Sequence, residues 1–250
     1  MANDNVALRF NEVTFEFEHN KKLLDEVSFS VRSGSRITLM GQNGAGKSTL
    51  FKMITGEIKP TEGQVFCTPN DATIAIARQV MPEEYRNLTV RDFFAAAFKA
   101  KEYSLDKLIK NVFEVVHLDL ALDKPVKEFS GGQQARLLLA QALIQNPDIL
   151  LLDEPTNNLD QHGIDHLTGF LMLYEKTCLV ISHDADFLNA FTDGVLYLDV
   201  HTHKIEQYTG NYYDVVEDIK NRIERENAQN ARLQAQIREK REQAEVFAHK

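Results

Sequence analysis

The chain has 250 residues, 43% hydrophobic and 26% charged, enough to bury a sizeable core in one large domain or two lobes. Its apolar runs are too short to cross a bilayer, and the start, MANDNVALRF, lacks the basic and apolar regions of a secretory signal, so a cytoplasmic protein with no transmembrane segment is expected. Two cysteines, Cys67 and Cys178, exclude a disulfide framework and argue against a cysteine-built metal site.

The net charge of −9 is unevenly placed. Residues 220–250 hold eight Lys/Arg and five Glu, a balance of +3, which leaves the preceding residues at −12. An acidic body with a basic tail points to an anionic partner for the tail; a solvated helix face gives the same pattern.

Residues 6–40 alternate with period two through Phe10, Val13, Phe15 and Phe17 and again through VSFSV at 27–31, predicting a small, largely antiparallel lobe. Phe17, at a strand end, either stacks on an adenine ring or belongs to the core; spacing leaves both open. Ile37–Met40 reads as a buried strand. It runs into GQNGAGKS, residues 41–48, and then into a helical pattern from Lys47 with Leu50, Phe51 and Ile54. Strand, G-x-x-x-x-G-K-[ST] and helix together form a phosphate-binding loop. Gly41, Gly44 and Gly46 let the backbone turn tightly and approach an anion, Lys47 reaches terminal phosphates and Ser48 is placed for Mg²⁺.

Gly56, Pro60 and Gly63 break the chain, and 64–67 and 73–77 read as further short strands. Gln79 follows the apolar IAIA run, where its amide oxygen can serve Mg²⁺ or an attacking water. Amphipathic patterns in LTVRDFFAAAFKA, with its apolar 93/94/97/98 stripe, and in LDKLIKNVFEVVHL predict a helical subdomain over about 88–130. Phe129-Ser130-Gly131-Gly132-Gln133 then opens a second helix suited to an anion, with Ser130 as cap. Ile149–Leu152 reads as a buried strand ending in Asp153 and Glu154. Asp153 can hold Mg²⁺ through water, and Glu154 can polarise a water for attack on a γ-phosphate. CLVIS at 178–182 is another buried strand, ending in His183; alone, His183 is a turn residue. His201 and His203 lie in the polar stretch DVHTHK and read as solvated.

Over residues 6 to about 205 the chain resembles the ATP-binding cassette (ABC) ATPases: GQNGAGKS, Gln79, SGGQQ, ILLLDEP, NNLD and SHD stand in that family's order. The resemblance implies an α/β P-loop NTPase with an antiparallel β lobe and a helical subdomain, hydrolysing ATP with Mg²⁺. It implies an adenine-stacking Phe17, a phosphate cradle of Gly41, Asn43, Gly44, Ala45, Gly46, Lys47, Ser48 and Thr49, and Ser48, Gln79 and Asp153 on the metal. Glu154 is then the base, with Gln79 and His183 sensing the γ-phosphate. Ser130, Gly131, Gly132 and Gln133 close over ATP held by a second cassette, in the same longer chain or a homodimer.

EPTNNLD, SHDADFL, Thr192-Asp193 and YTGNYYDV at 208–215, running into a charged helix, are similar to the ABC-F proteins, which carry two cassettes joined by a helical linker and act on ribosomes. Asn158 and Ala185 depart from the His and Arg usual there, and the 88–122 lobe lacks the extra helical arm of some members. The resemblance implies a cassette at 1–210 and a linker segment at 211–250, the first half of a longer translation or antibiotic-resistance factor. Its linker is then aimed at rRNA or tRNA. The rival expectation is the nucleotide-binding subunit of a membrane transporter, which has no need of the tail. In the tail, Val216, Ile219, Ile223, Leu233, Ile237, Ala244 and Phe247 keep a three–four spacing, while Glu226, Asn230 and Lys240 make the seam polar. A helix over 214–250, roughly 55 Å at 1.5 Å per residue, is expected to need an antiparallel partner.

Overall fold

Period-two alternation produces two long strands, β1 (Val6–Phe17) and β2 (Lys21–Arg32), paired antiparallel in the computed structural model of the chain. The structure describes residues 5–17, 21–78, 80–98 and 100–248, without the side chains of Phe17, Lys21, Asn227 and 239–248. Phe10 faces Phe29 across the pair, their rings stacked at 4.5 Å. β3 (Arg36–Gly41) leaves this lobe for a different sheet, while β4 (Glu62–Cys67) returns to it, giving the order β2-β1-β4.

The second sheet holds β5 (Ile74–Ala77), β6 (Ile149–Asp153), β7 (Thr177–Ile181), β3, β8 (Gly194–Leu198) and β9 (Ile205–Thr209), in that order. All neighbours are parallel except β8 and β9. Continuous apolar runs such as ILLL and CLVI suit strands covered on both faces. Successive residues of one strand feed opposite cores. Ile149, Leu151, Leu179 and Ile181 pack with the β1–β2 lobe and with α1 (Lys47–Ile54). Leu150, Leu152, Cys178 and Val180 pack on the other side with the helical elements. Each such side chain, fully buried, contributes about 1.5–3 kcal/mol of apolar transfer.

Those helical elements are α2 (Val90–Ala95), α3 (Leu105–Val115), α4 (Gly131–Ile144), α5 (Gln161–Met172) and α6 (Ala185–Phe191). The expected helix over LTVRDFFAAAFKA is shorter than its apolar stripe. Thr89 caps its start by accepting the Asp92 N–H at 3.1 Å, but Ala97 and Phe98 donate to the carbonyls three residues back, tightening and ending the helix. Phe93 and Phe94 are buried in the helical core, and Phe98 packs against it from beyond the helix.

The described chain divides into two compact units, Met1–Tyr212 and Tyr213–Lys250. The second is a single helix, part of α7 (Tyr212–Ala248), uninterrupted by Gly or Pro. Among the described residues no helix is long and apolar enough to cross a membrane.

Candidate functional site

Three adjacent parallel strands, β6, β7 and β3, end on the same edge of the sheet, where open α/β sheets bind ligands. β3 delivers the glycine loop. Gly44 at φ +81° and Gly46 at φ +111° take left-handed backbone, and a Cβ on Gly46 would lie 2.7 Å from Cδ2 of Leu23. Ala45 is buried, and its N–H donates to the Gln42 carbonyl at 3.1 Å, closing the turn. Gly46 then stands as the left-handed cap of α1, whose first N–H groups, as at any helix start, have no carbonyl of their own helix to meet.

Lys47 Nζ donates to the carbonyls of Gly41 at 2.7 Å and Gln42 at 3.2 Å. Burial holds its ammonium below the usual lysine range, against the opposite pull of Glu154 and Asp153. Ser48 Oγ donates to Asp153 Oδ2 at 3.4 Å. Burial pushes the Asp153 carboxyl up, opposed by the Ser48 hydrogen bond and the charge of Lys47. Glu154, one residue on, has φ +53°, uncommon for a residue with a side chain, and its N–H donates to the Ile181 carbonyl at 2.8 Å. Burial is also the largest influence on its carboxyl and raises it; His183 pulls the other way.

These groups line one open cleft of about 530 Å³ with Asn43, Gly44, Gly46, Thr49, Asn157, Ile181, His183 and Leu23. The cleft thus gathers a lysine, an oxygen pair, a half-buried carboxylate and an imidazole, the parts of a phosphate-ester or anhydride hydrolysis site. Leu23, on β2, carries no local motif, and only the strand arrangement brings it in; Asn157 belongs to the NNLD stretch that follows Glu154. Gln79 and the Phe17 side chain lie outside the described residues.

The second anion-type helix start lies apart from this cleft, whose lining includes none of Ser130, Gly131, Gly132 or Gln133. Ser130 Oγ accepts the Gln133 N–H at 3.3 Å, and Gln133 Oε1 accepts the Ser130 N–H at 3.0 Å, a reciprocal cap on α4. Gly131 has open space where a Cβ would stand, and a Cβ on Gly132 would meet only Asn158 Oδ1, at 3.9 Å.

A family model described as ABC transporter matches residues 24–157. The probable ATP-binding protein YheS of Escherichia coli (strain K12) is 35% identical over 235 residues, covering 90% of this chain and 36% of YheS. YkpA of Bacillus subtilis (strain 168), described as an uncharacterized ABC transporter ATP-binding protein, is 33% identical over 246 residues, covering 85% of this chain and 44% of YkpA. The chain thus spans less than half the length of these curated relatives. Among solved structures, a nucleotide-free ATP-binding cassette from an ABC transporter superposes with TM-score 0.67 at 25% identity, over 86% of this chain and 94% of that one. A dimeric cassette in a post-hydrolysis state, bound to ADP and Pi, gives TM-score 0.69 at 24% identity, over 81% and 98%.

Proposed function

The chain belongs to the ABC transporter family as an ATP-binding cassette, and from that premise we propose that it hydrolyses ATP to ADP and phosphate as one member of a cassette pair in an ABC-F protein acting on the ribosome. The observation carrying the hydrolytic reading is the convergence of Lys47, Ser48, Asp153, Glu154 and His183 on one cleft. Lys47, partly desolvated and bonded to two neutral carbonyls, gains most from an anion such as the β- and γ-phosphates. Gly41, Asn43, Gly44, Ala45, Gly46 and Thr49 supply the backbone and edge of the cradle, and Phe17 is assigned to the adenine.

The hard oxygen pair of Ser48 and Asp153, 3.4 Å apart, fits Mg²⁺, with Gln79 as a third oxygen donor. When bound, Mg²⁺ supplies neutralisation of charge on the phosphate oxygens. Glu154 takes a proton from water as that water's oxygen bonds to the γ-phosphorus; the bond from that phosphorus to the β,γ-bridging oxygen breaks, and ADP leaves. His183, paired with the Glu154 carboxylate, orients the base and touches the γ-phosphate. Ser130–Gln133, capped and apart from this cleft, are assigned to ATP on the facing cassette, as supported by the dimeric form of a similar cassette.

The ABC-F part rests on the resemblance of YTGNYYDV running into a charged helix, and on α7, 37 residues long, with Leu233 and Ile237 exposed along its seam. The second reading, a transporter's nucleotide-binding subunit, is favoured by the similarity to cassettes from transporters. Pull-down from cells expressing the Glu154→Gln form of the protein decides between them. ATP-dependent co-sedimentation with ribosomes supports the first reading; co-purification with a membrane permease overturns it.

A further inference from the structure

Away from the phosphate cleft the fold gathers three histidines that the hydrolytic chemistry does not use. His162 and His166 stand one turn apart on α5, the spacing that puts two side chains on one helix face. His117 arrives from a different element, just past the end of α3. Its ring centroid lies 4.1 Å from that of His162 and 4.9 Å from that of His166, which are 4.4 Å apart. Each residue offers a ring nitrogen, and the three nitrogens lie within 4.8 Å of one another.

The backbone holds these rings in place from both sides. His117 has φ +52° at the point where a helix usually ends on glycine. The Leu118 N–H reaches back to the Phe113 carbonyl at 2.9 Å, and Arg136 Nη1 donates to the His117 carbonyl at 2.8 Å. On the other side, Asp160 caps α5 by accepting the Gly163 N–H at 2.9 Å, which fixes the first turn that carries His162. A side chain in this left-handed position costs more than glycine, so the imidazole stands there against local backbone preference.

From this geometry we propose that His117, His162 and His166 bind one divalent transition-metal ion of the Zn²⁺ class. Three imidazoles with no thiolate or carboxylate are a borderline, nitrogen-only donor set, suited to Zn²⁺, Ni²⁺ or Cu²⁺ and poorly suited to Mg²⁺ or Ca²⁺. Tetrahedral coordination at 2.0–2.1 Å needs ligand nitrogens ~3.3 Å apart, a closure of ~1.5 Å at most that χ1 and χ2 rotation can supply. His162 and His166 are exposed and His117 is half-buried, so an ion reaches the site from solvent without opening the core. The fourth position stays open to water or another ligand. The ion would tie the end of α3, in the helical subdomain, to α5, which begins seven residues after Glu154.

The test titrates Zn²⁺ into tag-free, nucleotide-free protein by calorimetry and by melting temperature. One Zn²⁺ per chain is expected, with a rise in melting temperature. His117→Gln, His162→Gln and His166→Gln should each weaken binding by roughly tenfold or more through loss of one of three ligands, while Cys67→Ser should not change it. ATP affinity measured on each variant separates loss of metal from loss of fold and should stay unchanged. Substoichiometric binding, or a His117→Gln protein that keeps full affinity and so binds through the α5 pair alone, overturns the three-histidine site.

Discussion

His183 Nε2 lies 3.3 Å from Glu154 Oε1, and the His183 backbone N–H meets Glu154 Oε2, also at 3.3 Å. Both oxygens of one carboxylate are therefore held by one residue from the neighbouring strand end. The Glu154 side chain is 9% exposed, whereas the histidine ring is 71% exposed. The less exposed carboxylate is thus held by a partner that reaches into the open cleft.

Glu154→Gln keeps the shape and removes the proposed base. Hydrolysis is expected to fall by roughly 10²–10⁴-fold, the usual contribution of general base catalysis, while ATP binding persists. Phosphate release and equilibrium binding measured on the same preparation check both halves.

The pH dependence follows from the same pair. Burial raises the Glu154 carboxyl above its ordinary value, and the charge and N–H of His183 hold that rise back. The base acts when deprotonated, so the rate should climb as pH rises through this raised pKa. Removing the ring in His183→Ala should move the acidic limb to higher pH. A pH–rate profile with an unmoved limb contradicts the pairing.

Gly46→Ala puts a methyl 2.7 Å from Leu23 Cδ2 at a backbone φ of +111°. The strain is about 1–3 kcal/mol, and it falls on a loop that must present its N–H groups to phosphate. ATP affinity should drop by tenfold or more, with a smaller fall in melting temperature.

Arg36 and Asp193 form a two-point pair, Nε to Oδ2 at 3.1 Å and Nη2 to Oδ1 at 2.9 Å, and the Arg36 N–H also reaches Oδ2 at 2.9 Å. Burial pushes the Asp193 carboxyl up, yet the Arg36 bonds outweigh it and the net pKa lies below the ordinary value. Because the folded pKa is depressed, the pair's stabilisation is present above the unfolded carboxylate pKa and is lost as pH falls through the folded one. Asp193→Asn should cost about 1–2 kcal/mol at neutral pH, discounted for partial exposure, and the difference from the native chain should shrink in acid. Denaturant melts at two pH values measure this.

Deleting residues 225–250 removes most of α7 and no residue of the cleft. Nucleotide affinity is expected to stay within about twofold, while any ribosome co-sedimentation is lost. A comparable loss of ATP binding would give the helix a role in the cassette itself.

Local chemistry made much of the site legible in the sequence alone. GQNGAGKS between an apolar run and a helical pattern, Ser130 followed three residues later by Gln133, and ILLL before Asp153-Glu154 each act through neighbours in the chain. Their strand, loop, cap and helix therefore follow from short-range spacing. What tertiary structure decided was which strand ends meet. A run buried on both faces carries no alternation that names its neighbours, and only the non-local pairing of β7 between β6 and β3 sets His183 against Glu154 and both beside Lys47. The same holds for Leu23, for the Thr38–Thr192 hydroxyl contact at 2.7 Å and for the Arg36–Asp193 pair, which join residues more than 150 positions apart or strands of different sheets. It holds most fully for the histidines. The spacing of His162 and His166 was visible along the chain, but His117 joins them only because α3 and α5 pack around a shared core, and hydrophobic packing is indifferent to sequence distance.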